Sequence, residues 1–229
     1  VFVSAIIPAA GKGQRFGSQL NKQFVELKGR PLLYYTLRQF ELSTAIDEII
    51  LVVPEAWLPE IPPVFVEQYQ FSKIKKIVSG GKERFESVAN GLQQIDSRAD
   101  MVVVHDGVRP FISTQLIAES VDACAIYRAV ALAVPVKDTI KVVEQGVVQK
   151  TLDRSVLWAV QTPQVFQANL LREAYAQLPG LSQSVTDDAM LVEALGHPVR
   201  IIAGDYRNIK ITSPDDLHLA EFFISQKII

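Results

Sequence analysis

The sequence predicts an α/β fold: a doubly wound, mainly parallel sheet from which a β-hairpin arm protrudes. Three observations predict it. Short apolar, β-branched runs recur along the 229 residues, without the polar alternation of half-exposed strands, as expected for a sheet covered on both faces. Helical patterns lie between them, and strand–helix alternation is the mark of parallel pairing. One stretch, residues 137–154, breaks the alternation with two β-type runs about a Glu-Gln-Gly turn, and reads as a hairpin.

Taken in order, the strands are "VSAII" at 3–7, "EIILVV" at 48–53, "KKIV" at 75–78, "MVVVH" at 101–105, "AVALAV" at 129–134 and "VRIIA" at 199–203. The helices run from Pro31 to Phe40, Glu83 to Gln94, Thr114 to Tyr127, Gln167 to Gln177 and Asp187 to Leu195. A last helix opens at "SPDD", with Ser213 as N-cap, Pro214 in the first turn and Asp216 as the capping-box acid, and continues to about the C-terminus. No repeat, linker or low-complexity stretch divides the chain. Residues 1–229 are therefore expected to form one domain, with the arm at about 137–154.

Composition excludes several classes of function. A net charge of −2 and a pI near 6.0 do not suit a nucleic-acid or membrane surface, and no apolar run reaches the ~20 residues of a membrane span. The single cysteine, Cys124, rules out an intrachain disulfide, suits a reducing cytoplasm and sits in an apolar helix as a core residue. Three scattered histidines offer neither a zinc site nor a Ser-His-Asp triad. His105 is read as a packed strand-end residue, His197 as part of a helix end and His218 as exposed. The charge is uneven, however. Residues 8–28 carry a local +3, against −5 for the rest, which points to a small anionic ligand rather than a polymer.

That basic segment contains "PAAGKGQRFG", directly after the first strand. Gly11, Gly13 and Gly17 miss the dinucleotide spacing by one residue, and the P-loop's Lys-Ser/Thr is absent. The misplaced glycine, and a basic loop where a cofactor ribose needs an acid, weigh against a nicotinamide enzyme. Ligands of open parallel sheets bind beyond the carboxyl ends of the strands. There the chain places Arg15 and Lys22 after the first strand, "SGGKERFESV" after the third, "HDGVRP" after the fourth and "RNIKIT" near the last. Singly, each has a plainer reading as a helix start, a cap or a solvated cation. Together they put cations, glycines and one carboxylate, Asp106, at successive ends of one sheet. Nucleotidyl transfer needs such a set, because the substrate supplies its own nucleophile while cations offset the charge growing on phosphate. A Mg²⁺ would bridge the phosphates, with Asp106 as candidate ligand.

"PAAGKGQRFG", "NKQF", "GGKERFESV", "HDGVRPF", "PVKDTIK", "LDRSVLWAVQTPQVF", "TDDAMLVEALG" and "NIKITSPDDL" follow one another through nearly the whole chain. In this order they resemble the 2-C-methyl-D-erythritol 4-phosphate cytidylyltransferase family. The resemblance implies a nucleotide-diphospho-sugar transferase-like fold and Mg²⁺-dependent transfer of CMP from CTP to a sugar-alcohol phosphate, methylerythritol 4-phosphate, in the non-mevalonate isoprenoid pathway. It further implies that Ala9, Ala10, Gly11 and Gly13 wrap the triphosphate and that Arg15 and Lys22 stabilise the transition state. The cytosine turn falls on Gly81, Lys82 and Ser87, the metal-side acid on Asp106 with Arg109 beside it, and the acceptor-phosphate contacts on Thr139, Thr186 and the catalytic pair Arg154 and Lys210. A homodimer is implied, in which the arm carries Thr139 and Arg154 into the partner's site. A sister cytidylyltransferase acting on ribitol 5-phosphate is the alternative. Many family members have Ala-Ala where Gly107 and Val108 stand, and an acid where Arg207 stands. The first departure is expected to loosen acceptor contacts, and the second to alter a nearby hydrogen bond.

Overall fold

The computed structural model describes residues 1–11, 24–177 and 185–226. Its core is a seven-stranded sheet of β1 (Val3–Pro8), β4 (Glu48–Val53), β5 (Ile74–Ser79), β6 (Met101–Val104), β7 (Ala129–Pro135), β10 (Trp158–Gln167) and β11 (Arg200–Ala203), in the order β11-β7-β10-β6-β1-β4-β5. All pairings are parallel except the two made by β10, which runs antiparallel to both β6 and β7. In the central strand β1, Ile6 pairs with Ile50 of β4 on one side and Val104 of β6 on the other.

Successive strand residues face opposite sides of a sheet, and here both sides are covered. Ala5, Ile7, Ile49, Leu51 and Val103 pack with α1 (Leu32–Leu42) and α3 (Thr114–Tyr127), through Leu33, Leu37, Phe40, Ile117 and Val121. Ile6, Ile50, Val52, Val102 and Val104 pack with α2 (Arg84–Leu92), α4 (Ala168–Ala176) and α5 (Asp188–Ala194), through Val88, Leu171 and Val192. This is the doubly wound arrangement the unbroken apolar runs predict. Cys124 is buried in the α3 layer, as its helical context predicts. A smaller cluster joins Leu27, Leu32, Val108 and Ile211 to Ala220 of α6 (Pro214–Ser225). The cap of α6 is as predicted: Ser213 accepts the Asp216 N–H, and the Asp216 carboxylate accepts the Ser213 N–H at 2.8 Å.

Other elements were not anticipated. The largest is β10, which contains Gln161-Thr162-Pro163-Gln164 and reads as loop because proline cannot donate to a ladder. The chain resolves this with a register shift between Val160 and Gln164, so Pro163 falls at a break in the pairing. A short ribbon of β2 (Glu26–Leu27) and β3 (Arg30–Pro31) leads into α1, and a 3₁₀ turn and a π-helical segment occupy Glu55–Trp57 and Pro62–Gln68. Among the described residues no helix is long and apolar enough to cross a membrane.

The predicted arm is present as β8 (Lys141–Glu144) and β9 (Val147–Thr151), paired antiparallel as a separate two-stranded sheet. Gln145 and Gly146 have φ of 49° and 80°, the positive values at both central turn residues that match strand twist in a two-residue hairpin. Every residue from Lys141 to Lys150 is exposed.

Candidate active site

Four chain segments meet beyond the carboxyl ends of β1, β5 and β6. The first cleft, with about 600 Å³ of open space, is lined by Ala9, Ala10 and Gly11 after β1, by Gly81, Lys82 and Ser87 after β5, and by Asp106 and Lys210. The β5 turn is shaped by its own helix. The Glu86 carboxylate accepts the N–H groups of Lys82 (2.6 Å) and Glu83 (3.0 Å), while Ser87 Oγ accepts the Gly81 N–H and donates to the Glu83 carbonyl. Gly80 lies so close to the β1 loop that a Cβ there would come within 2.2 Å of the Ala10 Cβ. Ala10 and the β5 turn thus touch only because residue 80 has no side chain.

A second cleft opens on the other side of Asp106. Arg109, Gln161, Thr162, Gln164, Thr186 and Asp187 line it, and it shares Arg84, Asp106 and Lys210 with the first. Gln164 fixes its rim: Nε2 donates to the Asp187 carboxylate, and Oε1 accepts the N–H groups of Asp188 and Ala189. Asn208, fully buried, sets the loop that carries Lys210 by donating Nδ2 to the Thr162 carbonyl at 2.8 Å, while its own carbonyl accepts Arg109 Nη1.

The wall between the clefts is ionic. Arg84 Nε and Lys210 Nζ each lie 2.8 Å from the buried Asp106 carboxylate, and Arg109 Nε lies 3.7 Å away. Arg84 also donates Nη1 to Asp188 at 2.8 Å, and Asp188 accepts the Tyr175 hydroxyl. Burial works against ionisation of Asp106, but Arg84, Lys210 and Arg109 together outweigh it and hold its carboxyl well below the usual carboxylate range. Three cations against two carboxylates leave the cluster net positive, which favours an anionic ligand. His105 is fully buried against Phe40, with Nε2 at the Arg109 carbonyl, and burial lowers its pKa to about 4.

Of the residues singled out from sequence, Ala9, Ala10, Gly11, Gly81, Lys82, Ser87, Asp106 and Lys210 line the first cleft, and Arg109 and Thr186 the second. Gly13, Arg15 and Lys22 lie outside the described residues. Thr139 and Arg154 are brought to neither cleft of their own chain. They sit exposed at the base of the arm, where Arg154 Nη1 donates to the Lys137 carbonyl. At the Gly107–Val108 departure, Val108 lines the first cleft. Arg207 pairs with Asp205 through Nε and Nη2.

Sequence reading missed Arg84, Asp188, Gln164 and Asn208. Arg84 did leave a signal: it opens α2, and a cation at a helix N-terminus opposes the helix dipole, so a carboxylate elsewhere has to hold it. Among the described residues no group of three or more His, Cys, Asp or Glu gathers as a metal cage. A Mg²⁺ that draws most of its ligands from substrate phosphates and water needs no such cage, and the carboxylate that both clefts share, Asp106, is already paired with Arg84, Lys210 and Arg109.

The 2-C-methyl-D-erythritol 4-phosphate cytidylyltransferase family model matches residues 3–226. The chain is similar to the enzyme of that name from Geotalea uraniireducens, 47% identical over 224 residues covering 97% of this chain and 96% of that one. It is likewise 47% identical to the enzyme of that name from Clostridium beijerinckii, over 97% of this chain and 98% of the other. Its fold is similar to the crystal structure of 4-diphosphocytidyl-2C-methyl-D-erythritol synthase from Anaerococcus prevotii, with a TM-score of 0.86 at 34% identity over 98% of this chain and 96% of that one.

Proposed function

The chain belongs to the 2-C-methyl-D-erythritol 4-phosphate cytidylyltransferase family, and from this premise we propose that it transfers CMP from CTP to 2-C-methyl-D-erythritol 4-phosphate. The products are 4-diphosphocytidyl-2-C-methyl-D-erythritol and pyrophosphate, a step of isoprenoid precursor synthesis. The observation that supports this reading is the ionic wall of Asp106, Arg84, Arg109 and Lys210, shared by two clefts beyond the strand ends. A ternary reaction between two phosphates needs two compartments that meet at a positively charged junction.

In this reading the acceptor's 4-phosphate oxygen attacks the α-phosphorus, and the bond to the β-phosphate breaks as pyrophosphate leaves with the electron pair. The Ala9–Gly11 turn and Gly13 cradle the triphosphate, and Gly81, Lys82 and Ser87 hold the base in the first cleft. Arg15 and Lys22 offset the charge that develops on the α-phosphate and the leaving group. Lys210 and Thr186 hold the acceptor phosphate on the second side, and Asp106 keeps its cations in place. A Mg²⁺ held by Asp106 and the phosphates would neutralise phosphate oxygens when bound.

The reading extends to a cytoplasmic homodimer built from a single domain spanning 1–229, with no nucleic-acid or membrane partner. Support for the dimer comes from the arm: Val143, Val147 and Val148 are exposed there, as are Val156 just before β10 and Trp158 and Val160 within it. A lone two-stranded ribbon is marginal in water and needs a packing partner. Thr139 and Arg154, which reach neither cleft of their own chain, would then complete the partner's acceptor site. Incubating the protein with labelled CTP and either methylerythritol 4-phosphate or ribitol 5-phosphate, and following pyrophosphate release, tests the reading. Turnover with the first acceptor is expected, and turnover with ribitol 5-phosphate alone would overturn it.

A further inference from the structure

Arg84 stands where its own helix disfavours it. The N-terminal end of α2 carries partial positive charge, yet two carboxylates from distant positions hold the guanidinium there through Nε and Nη1. One of them is itself doubly fixed: Asp188 Oδ1 accepts the Tyr175 hydroxyl at 2.5 Å, and its N–H donates to Gln164 Oε1. The third nitrogen, Nη2, is buried and has no hydrogen-bond partner among the described residues, although Arg84 lines both clefts. A guanidinium presents its donors in a rigid plane, so pinning Nε and Nη1 fixes the direction of Nη2. A buried donor left without an acceptor is costly, and a ligand oxygen would remove that cost.

We propose that Arg84 Nη2 is a substrate-contacting donor that receives an oxygen of the nucleotide's α-phosphate, and that Asp188, fixed by Tyr175, is the positioning residue that aims it. The proposal rests on the CMP-transfer reading, because the α-phosphate is the group that must reach both clefts. It carries the nucleoside through its ribose ester, and the acceptor oxygen attacks it in line with the leaving pyrophosphate. A mere strut between Asp106 and Asp188 would use the same two ion pairs and have no need of the third donor.

The test compares the full-length wild type with Arg84→Lys, Asp188→Asn and Tyr175→Phe, using CTP and the two diastereomers of its α-phosphorothioate. Arg84→Lys keeps the charge and loses the fork, and is expected to lower kcat about 100-fold. Asp188→Asn is expected to lower it about tenfold, and Tyr175→Phe, whose side chain lines neither cleft, about threefold, with CTP KM little changed in each. The ratio of rates for the two diastereomers should fall about threefold or more in the first two variants, a change that a structural role does not produce. If Arg84→Lys does not fold, the other two carry the test. Folded variants with a wild-type kcat and an unaltered diastereomer ratio overturn the inference alone. A wild type inert toward CTP with either acceptor overturns the CMP-transfer reading and this inference with it.

Discussion

Lys210 Nζ lies 2.8 Å from Asp106 Oδ2, tying the loop that precedes α6 to the end of β6. The lysine is thereby held at the junction of both clefts before any substrate arrives. Lys210→Ala is expected to lower kcat roughly 100-fold and to raise the acceptor KM, while CTP binding measured by calorimetry changes little. A variant with normal turnover would make Lys210 a structural cation only. Asp106→Asn should be harsher: it leaves Arg84, Arg109 and Lys210 facing a neutral amide and is expected to cost about 3 kcal/mol in denaturant unfolding as well as activity.

Arg15→Ala and Lys22→Ala are each expected to lower turnover far more than they weaken CTP binding. Both belong to the basic segment after β1, and loss of one donor to transition-state charge costs about 3–4 kcal/mol. Normal turnover with only a raised CTP KM would reduce them to ligand anchors.

The base is expected to be read at the β5 turn. Ser87 and Glu86 accept the Gly81, Lys82 and Glu83 N–H groups and so fix the shape of the turn, and a site that pairs a polar edge of the base rejects bases that leave it unpaired. In competition CTP should be used in preference to ATP and GTP. Gly80→Ala, whose new Cβ would collide with Ala10 and Ser87 Oγ, should raise the CTP KM about tenfold or more with a smaller effect on the acceptor KM. Equal use of ATP by the wild type would contradict this account of the turn.

Mixing Lys210→Ala chains with Arg154→Ala chains separates an arm that acts on its partner from one that acts on its own chain. If the arm crosses, each mixed dimer has one site in which wild-type Lys210 meets wild-type Arg154, and activity returns. If it does not, every site keeps one defect. Mixed dimers confirmed by native mass spectrometry that remain as inactive as their parents would place Arg154 outside the partner's site.

Cys124 is expected to be chemically inert in the folded protein. Burial pushes its thiol up to about 12, and Sγ is directed to the Arg128 carbonyl. The reactive thiolate therefore becomes abundant only as pH nears that value, far above the range of pH 7 to 9 in which a free cysteine is readily alkylated. Mass spectrometry after iodoacetamide should find the label only in denaturant.

The sheet was legible because its strands are buried on both faces, and continuous runs such as "EIILVV" have no other economical explanation. Capping was legible where it is local, as in Ser213 with Asp216. What escaped was long-range. The strand β10 hides behind Pro163 and two glutamines whose partners, Asp187 and Asn208, come from other loops. The Arg84–Asp188 pair spans 104 residues, and nothing within either local motif names the other. Motif reading thus found much of the lining of each cleft, but missed Arg84 and Gln164 within it and Asp188 and Asn208, which hold it in place.

Gly107 touches Ala9, Leu33 and the Pro8 carbonyl so closely that a Cβ would sit 3.0, 3.1 and 3.3 Å from them. The loops after β1 and β6 are therefore not independent modules. An alanine at 107 requires the buried Leu33 to give way by a few tenths of an ångström, while the backbone oxygen of Pro8 offers little room. Position 107 is therefore expected to be coupled to position 33: the Ala-Ala form of the β6 loop grafted onto this chain should be better tolerated with a smaller residue at 33. Substitutions in a helix that never meets substrate would then decide which active-site loops the scaffold can accept.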